Sequence, residues 1–198
     1  MTYIKHHERL KGWATPEGTD KYYRMSQYGE VEGLDVHHEN FRGLFHNEML
    51  KLSTIGVGTY MGDPSDFDDF NMYNAIKTSV LSGGVNHIDT APNYRYMRSE
   101  KTVGKILTVL DNKYDITRDQ LFVGSKGGYV PEDATELISQ REMVTKMVSE
   151  VGVPEESIVK ESGHCLHPKF LEFQLDETLK RLNLECLDVY YLHNPYEA

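Results

Sequence analysis

An acid, a phenol, an ammonium and an imidazole stand at or just beyond the ends of three short apolar runs: Asp89 with Tyr94, then Lys126, then His193. In VNHIDTAPNYRYMRSEKTVG (85–104) an apolar run ends on Asp89, residues 90–93 make a turn, Tyr94 follows, and SEKT opens a helix. LFVGSK (121–126) ends on Lys126, and DVYYLH (188–193) ends on His193. Tips of parallel strands are where α/β proteins gather their chemistry, so three neighbouring strands of this kind would bring all four ionisable groups to one face. Each group also has a plain structural reading: Asp89 and Lys126 as an ion pair, Tyr94 as a loop aromatic, His193 as a satisfied core histidine. Their arrival together at successive strand tips is what points to a site.

The elements that must position them alternate. STIGVGTYMG predicts a short buried strand through Ile55, Val57 and Thr59, with Gly56, Gly58 and Gly62 allowing close approach of a neighbour or ligand. A helix follows, in which Phe70, Tyr73, Ile76, Val80 and Leu81 keep helical spacing and Gly83-Gly84 marks the end. After strand VNHID comes a helix over about Ser99–Leu110, whose start lacks the acid of a full capping box. Strand LFVGSK leads into a long connection, 127–167, with a helix near Ser139–Val151. An amphipathic helix from Pro168 to Leu184, with Phe170, Leu171, Leu175, Leu179 and Leu182 on one face, precedes the last strand. Such alternation demands parallel strands, and no GxGxxG follows the first one. The expected fold is α/β: a partial (β/α)8 TIM barrel of about the first four strand-helix units.

Composition sets further bounds. With 198 residues, 39% of them hydrophobic, the chain can bury one core and reads as a single soluble domain. A net charge of -10 argues against a nucleic-acid partner, which needs a basic patch. The N-terminus lacks the apolar stretch of a signal peptide and no run reaches membrane-spanning length, so a cytoplasmic protein without a membrane partner is expected. Cys165 and Cys186 give no disulfide framework and are expected to be reduced. Residues 1–50 read as an irregular extension in which Phe41 to Ser53 form a hairpin over one end of the core, ahead of a barrel portion at 51–198. His6-His7, His37-His38 and the group His164, Cys165, His167 lack the companions of a metal site, and none is expected.

Three motifs in order, IDTAPNYRYMRSEKTVGKIL, SKGG and QLDETLKRLNLECLDVYYLHNP, resemble the aldo-keto reductase superfamily from about Leu50 to the C-terminus. The resemblance implies an eight-stranded barrel that reduces aldehydes and ketones with NADPH. It makes Tyr94 the general acid that protonates the carbonyl oxygen. A free tyrosine, with pKa about 10, needs tuning for that work near neutral pH. Lys126 would supply the tuning, Asp89 would fix Lys126, and His193 would hydrogen-bond and orient the carbonyl. Gly58, Thr59 and Tyr60, with Asp89, fall on the nicotinamide side of the cofactor, and Asn194 falls beside substrate.

The family barrel has eight strands and this chain supplies four, so it is expected to be a truncated form with impaired chemistry, lacking the strands that usually hold the cofactor phosphates. The edges at STIGVGTY and DVYYLH then invite self-association. The alternative is a catalytically silent relative acting as a binding or regulatory subunit.

Overall fold

The structure, a computed structural model, describes residues 8–28, 36–44 and 50–197. In chain order the helices are α1 (Pro16–Tyr28), α2 (Asp66–Leu81), α3 (Arg98–Tyr114), α4 (Gln140–Lys146) and α5 (Pro168–Leu182). The strands are β1 (Phe41–Leu44), β2 (Leu50–Ser53), β3 (Val57–Gly58), β4 (His87–Asp89), β5 (Phe122–Gly127) and β6 (Val189–Leu192). β3, β4, β5 and β6 form one parallel sheet in that order. A doubly wound sheet reverses its strand order at a switch point; this one runs in chain order, as successive units of a (β/α)8 barrel do. It does not close, and among the described residues β3 and β6 are its edges.

Register decides which side chains share a face, because strand side chains alternate with period two. Val57 lies beside Ile88 and Ile88 beside Val123, and all three enter the main apolar core with α2 and α3. Asp89 pairs with Gly124 and Gly124 with Val189, which puts Asp89, Phe122, Lys126 and Tyr191 on the opposite face. The first strand is shorter than its sequence suggests: pairing starts at Val57, and Ile55, read as inward, is 72% exposed in the bend before it.

Helix α3 buries Val103, Ile106, Leu107 and Leu110, the i, i+3, i+4, i+7 stripe of an amphipathic helix. Gly104 lets it touch α5, since a Cβ there would lie 2.2 Å from the Arg181 carbonyl oxygen. In α2, Ile76 and Val80 are buried, but Phe70 is 65% exposed. Two three-residue steps at 3.6 residues per turn carry Phe70 roughly 120° around the helix from Ile76, off the core face. Ser139 and Glu142 form a full capping box on α4, which widens into a π-helical turn over Met147–Val151. Pro168 opens α5, and Asn183, with φ 56°, caps it after Leu182, two residues short of Leu184.

The N-terminal part departs from the irregular extension read from sequence. α1 is a helix: Thr15 Oγ accepts from the Gly18 N–H, and Tyr22 is fully buried, with its hydroxyl 2.7 Å from the carbonyl oxygens of both Val80 and Val85. Its buried positions are Gly18, Thr19 and Tyr22, residues that a hydropathy pattern does not register, with Tyr23 and Met25 packed partly buried beside them. β1 and β2 pair as an antiparallel hairpin, and Leu52 packs with Ala14 and Phe122. Asn86 pins the hairpin to the N-terminal end of β4: its Oδ1 accepts from Ser53 N–H, and its Nδ2 donates to the Lys51 carbonyl.

Candidate active site

Tyr94 is placed by a strained loop. Arg95, Tyr96 and Met97 all take positive φ, at 49°, 53° and 67°, each costing roughly 1–2 kcal/mol for an L-residue. Two arginines hold that conformation. The buried Arg95 guanidinium donates to the carbonyls of Asp63 and Ser65 and to Asp69 Oδ1, while Arg98 donates to Asp69 Oδ2 and pairs with Asp66. Burial opposes the charge on Asp69, but Arg98 and Arg95 outweigh it and hold its carboxyl below the usual range. The loops after β3 and β4 are thereby clamped to the start of α2. Ser99, read as the helix cap, has another task. The helix begins one residue earlier, behind Met97, and Ser99 Oγ donates to the Thr59 carbonyl at 2.7 Å.

The four ionisable groups meet at the C-terminal ends of the strands. Lys126 Nζ donates to Asp89 Oδ2 at 2.6 Å and to the Thr90 carbonyl at 2.9 Å. The same ammonium stands over the Tyr94 ring, 4.6 Å from its centroid. The Tyr94 ring is edge-to-face with His193 at 5.8 Å and with Tyr60 at 5.3 Å. Burial, and then the charge of Lys126, push the His193 pKa down against a smaller opposing pull from Asp89, so its imidazole favours the neutral form. A phenol, a fixed cation and an imidazole that favours its neutral form therefore share one open rim.

The other residues read from sequence divide. Gly58 and Tyr60 open to the rim; a Cβ on Gly58 would meet nothing within 4 Å, and Tyr60 is 67% exposed. Thr59 turns inward instead. It is fully buried, and both its N–H and its hydroxyl donate to the Asp89 carbonyl, so it braces the acid and is closed to a ligand. The reason is register, since Thr59 directly follows the paired Gly58–Asp89 step. Asn194 lies at the rim, with its amide nitrogen on the Tyr129 hydroxyl and Glu197.

Sequence reasoning missed Thr90, Tyr129 and the contact of His164 with the His193 carbonyl. Thr90 helps hold Lys126 through its backbone oxygen, which no side-chain pattern could report. Tyr129 lies edge-on to His193 at 4.9 Å, and its place three residues beyond Lys126 was the available signal.

Among the described residues no three His, Cys, Asp or Glu side chains gather as a metal site. His164 contacts the His193 carbonyl, Cys165 is buried in an apolar cluster, and His167 caps α5. His37 caps a 3-10 turn, and His6-His7 lies outside the described residues. A cavity of about 250 Å³ between α3, α4 and α5, lined by Met97, Lys101, Phe170 and Phe173, contains none of the four ionisable groups. No helix among the described residues is long and apolar enough to cross a membrane.

Over 148 residues the chain is 28% identical to the NADH-specific methylglyoxal reductase of Escherichia coli (strain K12), covering 73% of this chain and 39% of that protein. A crystal structure of a thermostable aldo-keto reductase with the inhibitor epalrestat matches with a TM-score of 0.47 and 23% identity, covering 78% of this chain and 43% of that one. The chain thus spans about two fifths of the length of each relative. The sequence model of the Aldo/keto reductase family matches residues 54–198, and the chain belongs to that family.

Proposed function

We propose that this chain carries the proton-transfer machinery of a nicotinamide-dependent carbonyl reduction, with Tyr94 as the general acid. The observation that carries the reading is Lys126, held 2.6 Å from Asp89 and 4.6 Å from the centre of the Tyr94 ring. As the phenol gives its proton to the carbonyl oxygen, negative charge grows on the tyrosine, and a fixed ammonium stabilises it without reorganising. Asp89 and Thr90 keep Lys126 in place. A neutral His193 can donate a hydrogen bond to the same carbonyl oxygen and orient it, with Asn194 at the substrate rim.

When bound, the reduced nicotinamide supplies the hydride that the carbonyl carbon receives. The rim suits that end of the cofactor: Gly58 leaves open space next to Asp89, and Tyr60 flanks Tyr94. The phosphate end is less well served. Arg95, Arg98, Lys101 and Lys126, the cations on the β4–α3 loop, the start of α3 and the end of β5, are each engaged by a carboxylate. We therefore assign this chain a weak grip on the dinucleotide and impaired turnover when it is alone, residues 51–198 being the barrel portion and 1–50 an extension. NADPH is the proposed cofactor and a small aldehyde or ketone the substrate, in a cytoplasmic setting. The relative named above makes NADH the competing cofactor and methylglyoxal the first carbonyl to try.

A second reading, a catalytically silent binding subunit, draws on the β6 edge, where Tyr191, Leu192 and the nearby Tyr196 are 48%, 52% and 81% exposed. Self-association through such an edge fits either reading. The test is a titration of the purified chain with NADPH and, separately, NADH, with oligomeric state measured in the same sample. Micromolar binding of NADPH followed by methylglyoxal-dependent oxidation supports the reductase. Tighter binding of NADH corrects the cofactor, and binding of neither at high concentration overturns the reading.

A further inference from the structure

The connection between β5 and α5 returns against the end of β6. Gly128 takes φ 144°, and a Cβ there would lie 2.6 Å from His164 Nε2 and 3.0 Å from the His193 carbonyl oxygen, so a side chain at 128 would force these segments apart. His164 is fully buried, and its Nε2 is 2.6 Å from the His193 carbonyl oxygen. A carbonyl only accepts, so Nε2 carries a proton; Nδ1 has no partner among the described residues. The His193 N–H donates to the Gly127 carbonyl at 2.7 Å. Both backbone polar groups of His193 are therefore fixed from the β5 side of the sheet.

Tyr129 completes the bracket. Its ring lies edge-on to both His164 and His193, at 4.9 Å from each, and its hydroxyl accepts from Asn194 Nδ2 at 3.0 Å. Asn194 itself has φ 44°, a conformation that needs holding. We propose that His164 is a positioning residue for His193: its Nε2–H, donated to the His193 carbonyl and backed by Tyr129, sets where the imidazole meets the rim. This rests on the reading of His193 as the group that orients the carbonyl. Around the His193 ring stand Tyr94, Tyr129, Lys126, Asp89, His164 and Glu197.

The test compares His164→Leu, which removes the donor, with His164→Gln, whose amide can restore an N–H near the Nε2 position. Imidazole nitrogen NMR of the full chain, with His193 assigned through His193→Gln, is read beside kcat and KM. His164→Leu should move or double the His193 ring signals and lower kcat about tenfold with KM for the nicotinamide held, and His164→Gln should recover both. Unchanged His193 signals in His164→Leu would overturn the proposal. So would equal disturbance by leucine and glutamine alongside a lowered melting temperature, the pattern of a purely structural role. Should wild type show no turnover, the reductase reading fails, while the NMR comparison still decides whether His164 places His193. If His164→Leu does not fold, His164→Asn, whose shorter amide stops short of the carbonyl, takes its place in the comparison.

Discussion

At the N-terminal ends of β5 and β6, Arg118 and Asp188 form an ion pair with side chains 3% and 4% exposed. Asp188 also accepts from the N–H groups of Ala14 and Val123, and Arg118 donates to the carbonyls of Leu121 and Cys186. At the other end of the same sheet, Lys126 and Asp89 are 14% and 35% exposed, and Asp89 Oδ2 receives Lys126 at an open rim. The chemistry of the two pairs is alike; their surroundings differ. A buried pair whose hydrogen-bonding capacity is nearly used up has none left for a reacting group, and removing one partner strands the other in low dielectric. A half-open pair beside a phenol keeps capacity for a reacting group. In a barrel that division follows the two ends of the strands, stability at one and catalysis at the other.

Breaking the closed pair should give the largest effect. Asp188→Ala leaves Arg118 and two N–H groups without their acceptor, and should cost about 3–5 kcal/mol in urea unfolding. Breaking the open pair should act on rate instead. Lys126→Met should lower kcat by about a hundredfold, with a stability change under about 1 kcal/mol. A comparable loss of stability from both variants would erase the contrast. Ser99→Ala removes the buried bond to Thr59 that ties α3 to the β3 loop, and should cost about 1–2 kcal/mol by thermal melting.

The smallest effect is on pH dependence. Burial lowers the pKa of His87 against opposing pulls from Asp89 and Asp188, and burial with Lys126 lowers that of His193. The folded chain therefore binds fewer protons than the unfolded one as pH falls through about 6.5, so stability should be full above that pH and decline below it. Urea midpoints between neutral and mildly acidic pH would show this, and His193→Gln should flatten part of the slope.

The site was legible where chemistry coincides with a strand tip. Asp89, Lys126 and His193 each end an apolar run, and the alternation of strands and helices pointed to parallel neighbours, which the sheet order bears out. Helix α1 was not legible, because its buried face is Gly18, Thr19 and Tyr22 rather than a hydrophobic stripe. Thr59 could not be told from a cofactor contact without the register that turns it toward the Asp89 backbone. The link from His164 to His193 runs through a backbone oxygen across 29 positions, where no side-chain spacing reports it. Local pattern carries the elements and their tips; contacts made through backbone atoms have to be seen.

The most direct test of the proposed chemistry at the open end is the rate of nicotinamide-dependent aldehyde reduction by wild type and Tyr94→Phe, with cofactor binding and melting temperature measured on both. Loss of turnover by about 10²–10⁴-fold, with binding and melting unchanged, is the predicted result. Equal turnover by the two proteins would contradict it, and the open pair would then be as structural as the closed one.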